Sequence, residues 1–198
     1  MSPARRFLSR ICSSILRLAG WRLVYPPQPG PKALVILYPH TSNWDFILAM
    51  LAIGALGLPV SWAAKDSLFS GPLGGLFRAL GGVPVNRRER TGFVGQMAAE
   101  FRRRERFILA LAPEGTRSRT EHWKSGFYRL AEAARIPVGL GYIDYPRREL
   151  GVALWLETCG DPARDMERIR ATYAGKTGHH PELMGTIRLE AETDARNN

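Results

Sequence analysis

The sequence predicts an α/β fold: a largely parallel sheet flanked by helices, an antiparallel pair of strands at one edge, and an N-terminal amphipathic helix. Three observations predict it. From residue 33 to residue 173, short apolar runs alternate with stretches of helical periodicity, the pattern of strand–helix–strand units. Two late apolar runs, 137–144 and 150–157, are separated only by turn residues at 146–148, too short a link for a parallel crossover. The first residues place apolar and basic side chains on opposite arcs of one helix.

In chain order, Phe7, Leu8, Ile11, Ile15 and Leu18 share one arc when plotted at about 100° per residue, with Arg6, Arg10 and Arg17 on the far side. Basic opposite apolar is the pattern of a helix lying in a lipid headgroup layer. Trp21 and Tyr25 suit the same depth. The pattern equally fits a helix docked on its own domain with solvated arginines. Residues 1–22 are assigned to this helix, and Pro26, Pro27, Pro29 and Pro31 make 23–32 a linker. The domain proper then spans 33–190, with a polar, flexible tail at 191–198. Within it, 33–38, 60–64, 83–85 and 107–112 read as strands, and 44–55 and 72–80 as helices. Phe93, Met97 and Phe101 recur every four residues in a helix ending at Arg102, Arg103, Arg104 and Arg106. Phe127, Leu130, Ala131 and Ala134 mark another helix face, and 161–173 forms the last helix.

The chain has 198 residues, 45% apolar and 23% charged, the size of one domain with a real core. Its aromatic and branched aliphatic content excludes disorder. Cys12 and Cys159 are too few for a disulfide scaffold. Lys and Arg total 28, of which 24 are Arg, against 18 acidic residues, for a net charge of +10. Such a chain seeks an anionic partner: a phosphate-bearing substrate, nucleic acid or an anionic membrane face. The longest nearly uncharged stretch, 46–64, approaches the ~20 residues of a spanning helix, but Gly54, Gly57 and Pro59 break it. It reads as a core helix followed by a strand. Arg10 and Arg17 interrupt any secretory-signal apolar run.

In a parallel α/β fold, chemistry belongs on loops at the carboxyl ends of strands. The first such loop holds His40, Thr41, Ser42, Asn43, Trp44 and Asp45. Five positions turn a helix by roughly 140°, so His40 and Asp45 cannot share a helical face. With His40 in the loop and Asp45 in the first turn they can converge, the imidazole as a base and the carboxylate fixing its tautomer. Ser42-x-x-Asp45 is also a capping-box arrangement. The second loop is Pro113-Glu114-Gly115-Thr116-Arg117-Ser118: glycine for close backbone approach, a hydroxyl, and a guanidinium fork suited to phosphate. It is also readable as a turn with solvated charges, and it lacks Walker A spacing. The third, 81–88, ends in Arg87 and Arg88. Lys65 follows another strand. No G-x-S-x-G elbow exists, neither cysteine has a base nearby, and His179-His180 is a poor metal site. The Arg102–Arg106 run lacks the interleaved aromatics of an RNA site.

H-x4-D after the first strand, a G-x5-R segment ending at Arg87, P-E-G-T-R-S about 70 residues after His40 and the strand opening Ile136-Pro137-Val138 resemble, in this order, the glycerolipid (lysophospholipid) acyltransferases, the family of 1-acyl-glycerol-3-phosphate acyltransferase. Further segments, Trp123-Lys124-Ser125-Gly126-Phe127-Tyr128, Gly141-Tyr142-Ile143-Asp144-Tyr145 and Gly178-His179-His180-Pro181-Glu182-Leu183, resemble a short bacterial subgroup. The resemblance implies transfer of a fatty acyl group from acyl-CoA or acyl carrier protein to a lipid hydroxyl. His40 is then the general base and Asp45 its orienting partner. Glu114, Gly115, Thr116 and Arg117 hold the acceptor's glycerol and phosphate, Arg87 and Lys65 add positive charge, and Ile136-Pro137-Val138 lines the donor side. It implies no metal, no cofactor beyond the acyl donor and no nucleic acid partner. It also places the protein peripherally on the cytoplasmic face of the bacterial inner membrane, attached through residues 1–22. The chain departs from the family at Pro39, where many members have Asn, at Asn86, where Asp is usual, and at Gly139-Leu140, where a later Pro is usual. These departures keep open a non-phosphate acceptor such as a lyso-amino-acid lipid. A non-enzymatic basic protein binding lipid or RNA is the competing class.

Overall fold

In the computed structural model, which describes residues 3–85 and 92–190, the alternation in the sequence becomes α1 (Pro3–Leu18), β1 (Arg22–Val24), β2 (Lys32–Leu37), α2 (Trp44–Leu56), β3 (Val60–Lys65), a 3-10 turn (Asp66–Phe69), α3 (Gly74–Ala79), β4 (Gly82–Val85), α4 (Gly92–Arg103), β5 (Phe107–Leu111), α5 (Gly126–Ala134), β6 (Val138–Asp144), β7 (Glu149–Leu156), α6 (Pro162–Tyr173) and a second 3-10 turn (Pro181–Leu183). One seven-stranded sheet runs in the order β1-β7-β6-β2-β5-β3-β4. Among the described strands every pairing is parallel except β6 with β7. The predicted class is the observed one. Residues 46–64 divide between α2 and β3, and no helix among the described residues is long and apolar enough to cross a membrane.

The antiparallel pair lies one strand in from the edge, because β1 adds outside β7. This strand falls where the sequence reading placed the end of the first helix and the start of the linker; α1 stops at Leu18. Three residues carry no periodicity of their own. Their pairing depends on Gly151 opposite Val24, where an added Cβ would lie 1.8 Å from the Val24 carbonyl oxygen, so glycine alone lets the backbones meet. Arg22 also pairs with the Glu149 carboxylate.

Right-handed crossovers divide the helices between the two sheet faces. The links β2-α2-β3 and β3-α3-β4 run one way across the sheet, and β4-α4-β5 and β5-α5-β6 run the other. Strand alternation agrees. Leu34, Ile36, Val138, Leu140 and Tyr142 face the main core, filled by Met97 and Phe101 of α4, Phe127 and Leu130 of α5, and Met166 and Ile169 of α6. Leu37 and Ile143 belong to a smaller cluster with Leu48 and Ala52 of α2 and Leu16 of α1. The first helix docks on α2 through Cys12 and Leu16, both buried, and Ser9 Oγ donates to the Ala55 carbonyl at 2.5 Å. Its apolar arc is on a different sector and stays outward, from 40% exposed at Ile11 to 87% at Leu18. Docking on the domain and an outward apolar arc are both realised.

Because β2, β3 and β5 are parallel, the loops leaving their carboxyl ends share one end of the sheet. The loops carrying His40, Lys65 and Glu114 are therefore neighbours.

Candidate active site

His40 sits in the loop between β2 and α2, and Asp45 sits in the first turn of α2. His40 Nδ1 lies 3.1 Å from Asp45 Oδ2. The spacing that forbids a shared helical face is resolved by leaving the imidazole outside the helix. Asp45 is 1% exposed, and Oδ2 also accepts the backbone N–H groups of Thr41 (2.8 Å) and Ser42 (2.9 Å). Ser42 Oγ in turn accepts from Trp44 N at 3.2 Å. The N-cap of α2 is Asn43 and no side chain caps it, so in place of a capping box one carboxylate holds the preceding loop and orients the imidazole. Burial alone would raise the Asp45 pKa, but the hydrogen bonds from His40, Ser42 and Tyr145 outweigh it and hold the carboxyl below its ordinary value. With Nδ1 donating to this anion, Nε2 is the ring nitrogen able to accept a proton. The imidazole is 17% exposed.

The Tyr145 hydroxyl donates to Asp45 Oδ1 at 2.8 Å, from 100 positions along the chain. Its ring is held edge-on by Trp21 (5.3 Å between centroids) and His179 (4.9 Å). Burial, and then the carboxylate it contacts, raise the phenol pKa, so it remains a donor. Tyr145→Phe keeps the ring contacts and deletes one bond to a buried anion, which contributes about 1.5–3 kcal/mol. Chemical denaturation should show a loss of that size.

Glu114 follows β5 and is 2% exposed. Oε2 accepts from His40 N at 3.1 Å and Oε1 from Gly185 N at 3.2 Å. This glutamate, which the family resemblance assigned to acceptor binding, is placed as a clasp between the histidine loop and the C-terminal segment. Burial pushes its pKa up to about 7 against the pull of those two backbone donors. Unfolded, the group titrates at 4.5. Between the two values the native state binds more protons, so stability falls as pH rises from about 4.5 to about 7, by at most about 3 kcal/mol. Glu114→Gln should flatten this slope in thermal unfolding compared at pH values on either side of the window.

Beyond Glu114 the loop turns outward. Gly115, at φ +68, donates to the Ala112 carbonyl, and Gly115, Thr116 and Arg117 are exposed. Thr116 Oγ1 accepts from Ser118 N at 3.2 Å. The Lys124 stem lies against Gly115, its Cε 2.9 Å from where a Cβ would stand, so a second cation joins Arg117 beside this loop. Lys65 ends β3, exposed, in register with Val85 of β4. Arg87 lies outside the described residues. The backbone N–H groups of His40, Thr41, Ser42 and Gly115 all donate internally. Those donors are therefore committed to holding the loops.

A C-terminal segment ties the two loops together. Thr177 O accepts from Tyr145 N, His180 N donates to Thr41 Oγ1, the Tyr38 hydroxyl donates to Gly185 O, and Trp123 N donates to Arg188 O. No group of three or more His, Cys, Asp or Glu among the described residues could hold a metal ion.

The sequence model of the family described as Acyltransferase matches residues 25–144, which include His40, Asp45 and Glu114. The chain belongs to the acyltransferase family. The fold of this acyltransferase is similar to the crystal structure of the 1-acyl-sn-glycerophosphate (LPA) acyltransferase PlsC from Thermotoga maritima. The TM-score is 0.50 at 16% sequence identity, over 85% of this chain and 74% of that one; at that identity the likeness is one of fold. No curated protein matches the chain in sequence. In the sequence Tyr145 and Lys124 stand only as members of longer segments, with no role of their own. Only their placement in space brings them to the acyltransferase's two loops.

Proposed function

We propose that this acyltransferase moves a fatty acyl group from a thioester, acyl-CoA or acyl carrier protein, to the hydroxyl of a lysophospholipid such as 1-acyl-glycerol-3-phosphate. The observation supporting it is the partly exposed imidazole oriented by a buried carboxylate beside a loop rich in exposed hydroxyl and cationic groups. His40 Nε2 takes the proton of the acceptor hydroxyl as the oxygen attacks the thioester carbonyl. Asp45 stabilises the imidazolium that forms. The tetrahedral intermediate collapses, expels the thiolate, and the thiolate recovers the proton from Nε2. A thioester is already activated, so the reaction needs no covalent acyl-enzyme. Gly115, Thr116 and Arg117 receive the acceptor headgroup, with Lys65, Lys124 and Arg87 adding positive potential. Glu114 holds the histidine loop in place.

The protein works on the cytoplasmic face of a bacterial membrane, seated by α1. Had the apolar arc of α1 served only to dock the helix on the domain, Phe7 and Leu18 would be covered; they point outward.

The test is release of free thiol from acyl-CoA or acyl carrier protein in the presence of a panel of lysolipids, with products read by mass spectrometry. Transfer to a lyso-amino-acid lipid but not to a phosphate-bearing one would replace the acceptor. No thiol release with any acceptor would favour a non-enzymatic lipid- or RNA-binding protein. Arg117→Ala should raise KM for a phosphate-bearing acceptor by about 10–100-fold, the loss of a charge-assisted bond, with little change for a neutral one. An equal change for both would make Arg117 structural.

A further inference from the structure

We infer that the lipid-facing surface extends beyond α1, and that the segment from the first 3-10 turn through α3 is a second footprint on the same anionic bilayer. The inference rests on the membrane reading above and adds a separate contact to it. Its origin is the distribution of exposed large apolar side chains. The eleven among the described residues are Phe7, Leu8, Ile11, Ile15 and Leu18 on α1, Trp44 and Ile47 on α2, and Leu68, Leu73, Leu76 and Leu80 around α3. None lies on α4, α5 or α6.

These three groups share one sheet face. The first helix packs on α2 through Ser9, Cys12 and Leu16. Phe46 of α2 contacts Trp62 of β3 (4.9 Å between centroids), and Trp62 contacts both Phe69 and Phe77 (5.9 Å each). The inward side of α3 is thus already apolar, built on Phe77. Its outward side carries Leu73, Leu76 and Leu80, spaced three and four residues apart on one stripe. A short helix apolar on both sides is a buried helix, yet among the described residues Leu73, Leu76 and Leu80 stay exposed.

Charge selects the occupant. Between residues 3 and 85 the sequence has eight Lys and Arg and two acidic residues, Asp45 and Asp66. Asp45 is buried and committed to the imidazole. Exposed Arg6, Arg10, Arg17, Lys65 and Arg78 border the apolar groups. Apolar side chains among cations, almost without anions, complement an anionic lipid surface. The 3-10 turn leaves β3 at the same end of the sheet where His40 leaves β2, and exposed Trp44 is the residue before Asp45. Two footprints around that end hold the candidate site against the membrane from which a lysolipid acceptor comes.

The experiment uses the full chain and flotation with phosphatidylcholine vesicles, with and without phosphatidylglycerol. The wild-type protein is expected to bind the anionic vesicles and to be released by salt. Leu73→Gln with Leu76→Gln, which alters no charge and no buried side chain, should weaken partitioning by about tenfold or more. Wild-type partitioning in that double variant, alongside loss of binding in Phe7→Gln with Leu18→Gln, would make α1 the sole anchor and overturn the second footprint alone. Absence of vesicle binding by the wild-type chain would overturn the membrane reading and this inference together. A variant that changed the oligomeric state and left vesicle binding intact would assign the stripe to protein contact and overturn it also. Hydrogen exchange on the wild-type chain needs no variant: vesicles should protect residues 66–80 several-fold, and unchanged exchange there would reject the footprint.

Discussion

Replacing His40 with alanine is expected to lower acyl transfer by about 10²–10⁴-fold, the contribution of one placed proton transfer, without unfolding the chain. The side chain is partly exposed, so its removal opens no cavity in the core. The backbone N–H of residue 40, which anchors the loop to Glu114, is untouched by the substitution. Thiol release measured in parallel with circular dichroism and thermal unfolding checks both halves. Retained turnover would reject the imidazole as the base. A collapsed fold would show that the loop depends on the ring as well as on its backbone.

The second large effect is expected from Asp45→Asn. The amide presents an NH2 group to a cluster in which four donors, His40 Nδ1, Thr41 N, Ser42 N and the Tyr145 hydroxyl, point at two carboxylate oxygens. One face of the amide must then oppose a donor. The imidazole loses the partner that keeps its proton on Nδ1, and the imidazolium loses its counter-charge. In a histidine–carboxylate pair of this kind the rate falls by about 10⁴-fold. Unlike His40→Ala, this substitution should also lower stability by a few kcal/mol, because at least one buried donor is left unpaired. The contrast separates the two roles. If activity falls equally in both variants but only Asp45→Asn melts earlier, the carboxylate both positions the base and holds the loop before α2. Activity close to wild type in Asp45→Asn would leave the carboxylate a purely structural tie of the loop.

Much of the fold is legible locally. Strands inside a parallel sheet are covered on both faces and so read as continuous apolar runs, and 33–38, 60–64 and 107–112 correspond to β2, β3 and β5 within a residue at each end. The last helix announces itself by Asp161 and Pro162, and Asp161 does cap it, accepting from Ala163 N and Arg164 N. β1 is not legible, because its pairing is a property of Gly151 and β7. The site divides in the same way. His40 and Asp45 stand out because residues five apart on a strand-to-helix turn have few ways to lie. Glu114 does not announce its burial, since a charged residue in a loop is by default exposed. Both of its partners are backbone N–H groups, one 74 and one 71 positions away.

Composition, periodicity and the order of motifs by themselves determined the class of fold, the basic character of the chain and the amphipathic first helix, and they put an imidazole within reach of a carboxylate. These depend on neighbours in sequence, and the chain carries them in short windows. Which carboxylate orients and which one clasps, that a tyrosine 100 positions away completes the cluster, and that exposed apolar residues gather on one sheet face were decided by tertiary structure alone. Such properties arise from what is packed against what, and burial and hydrogen-bond partners exist only once distant segments meet.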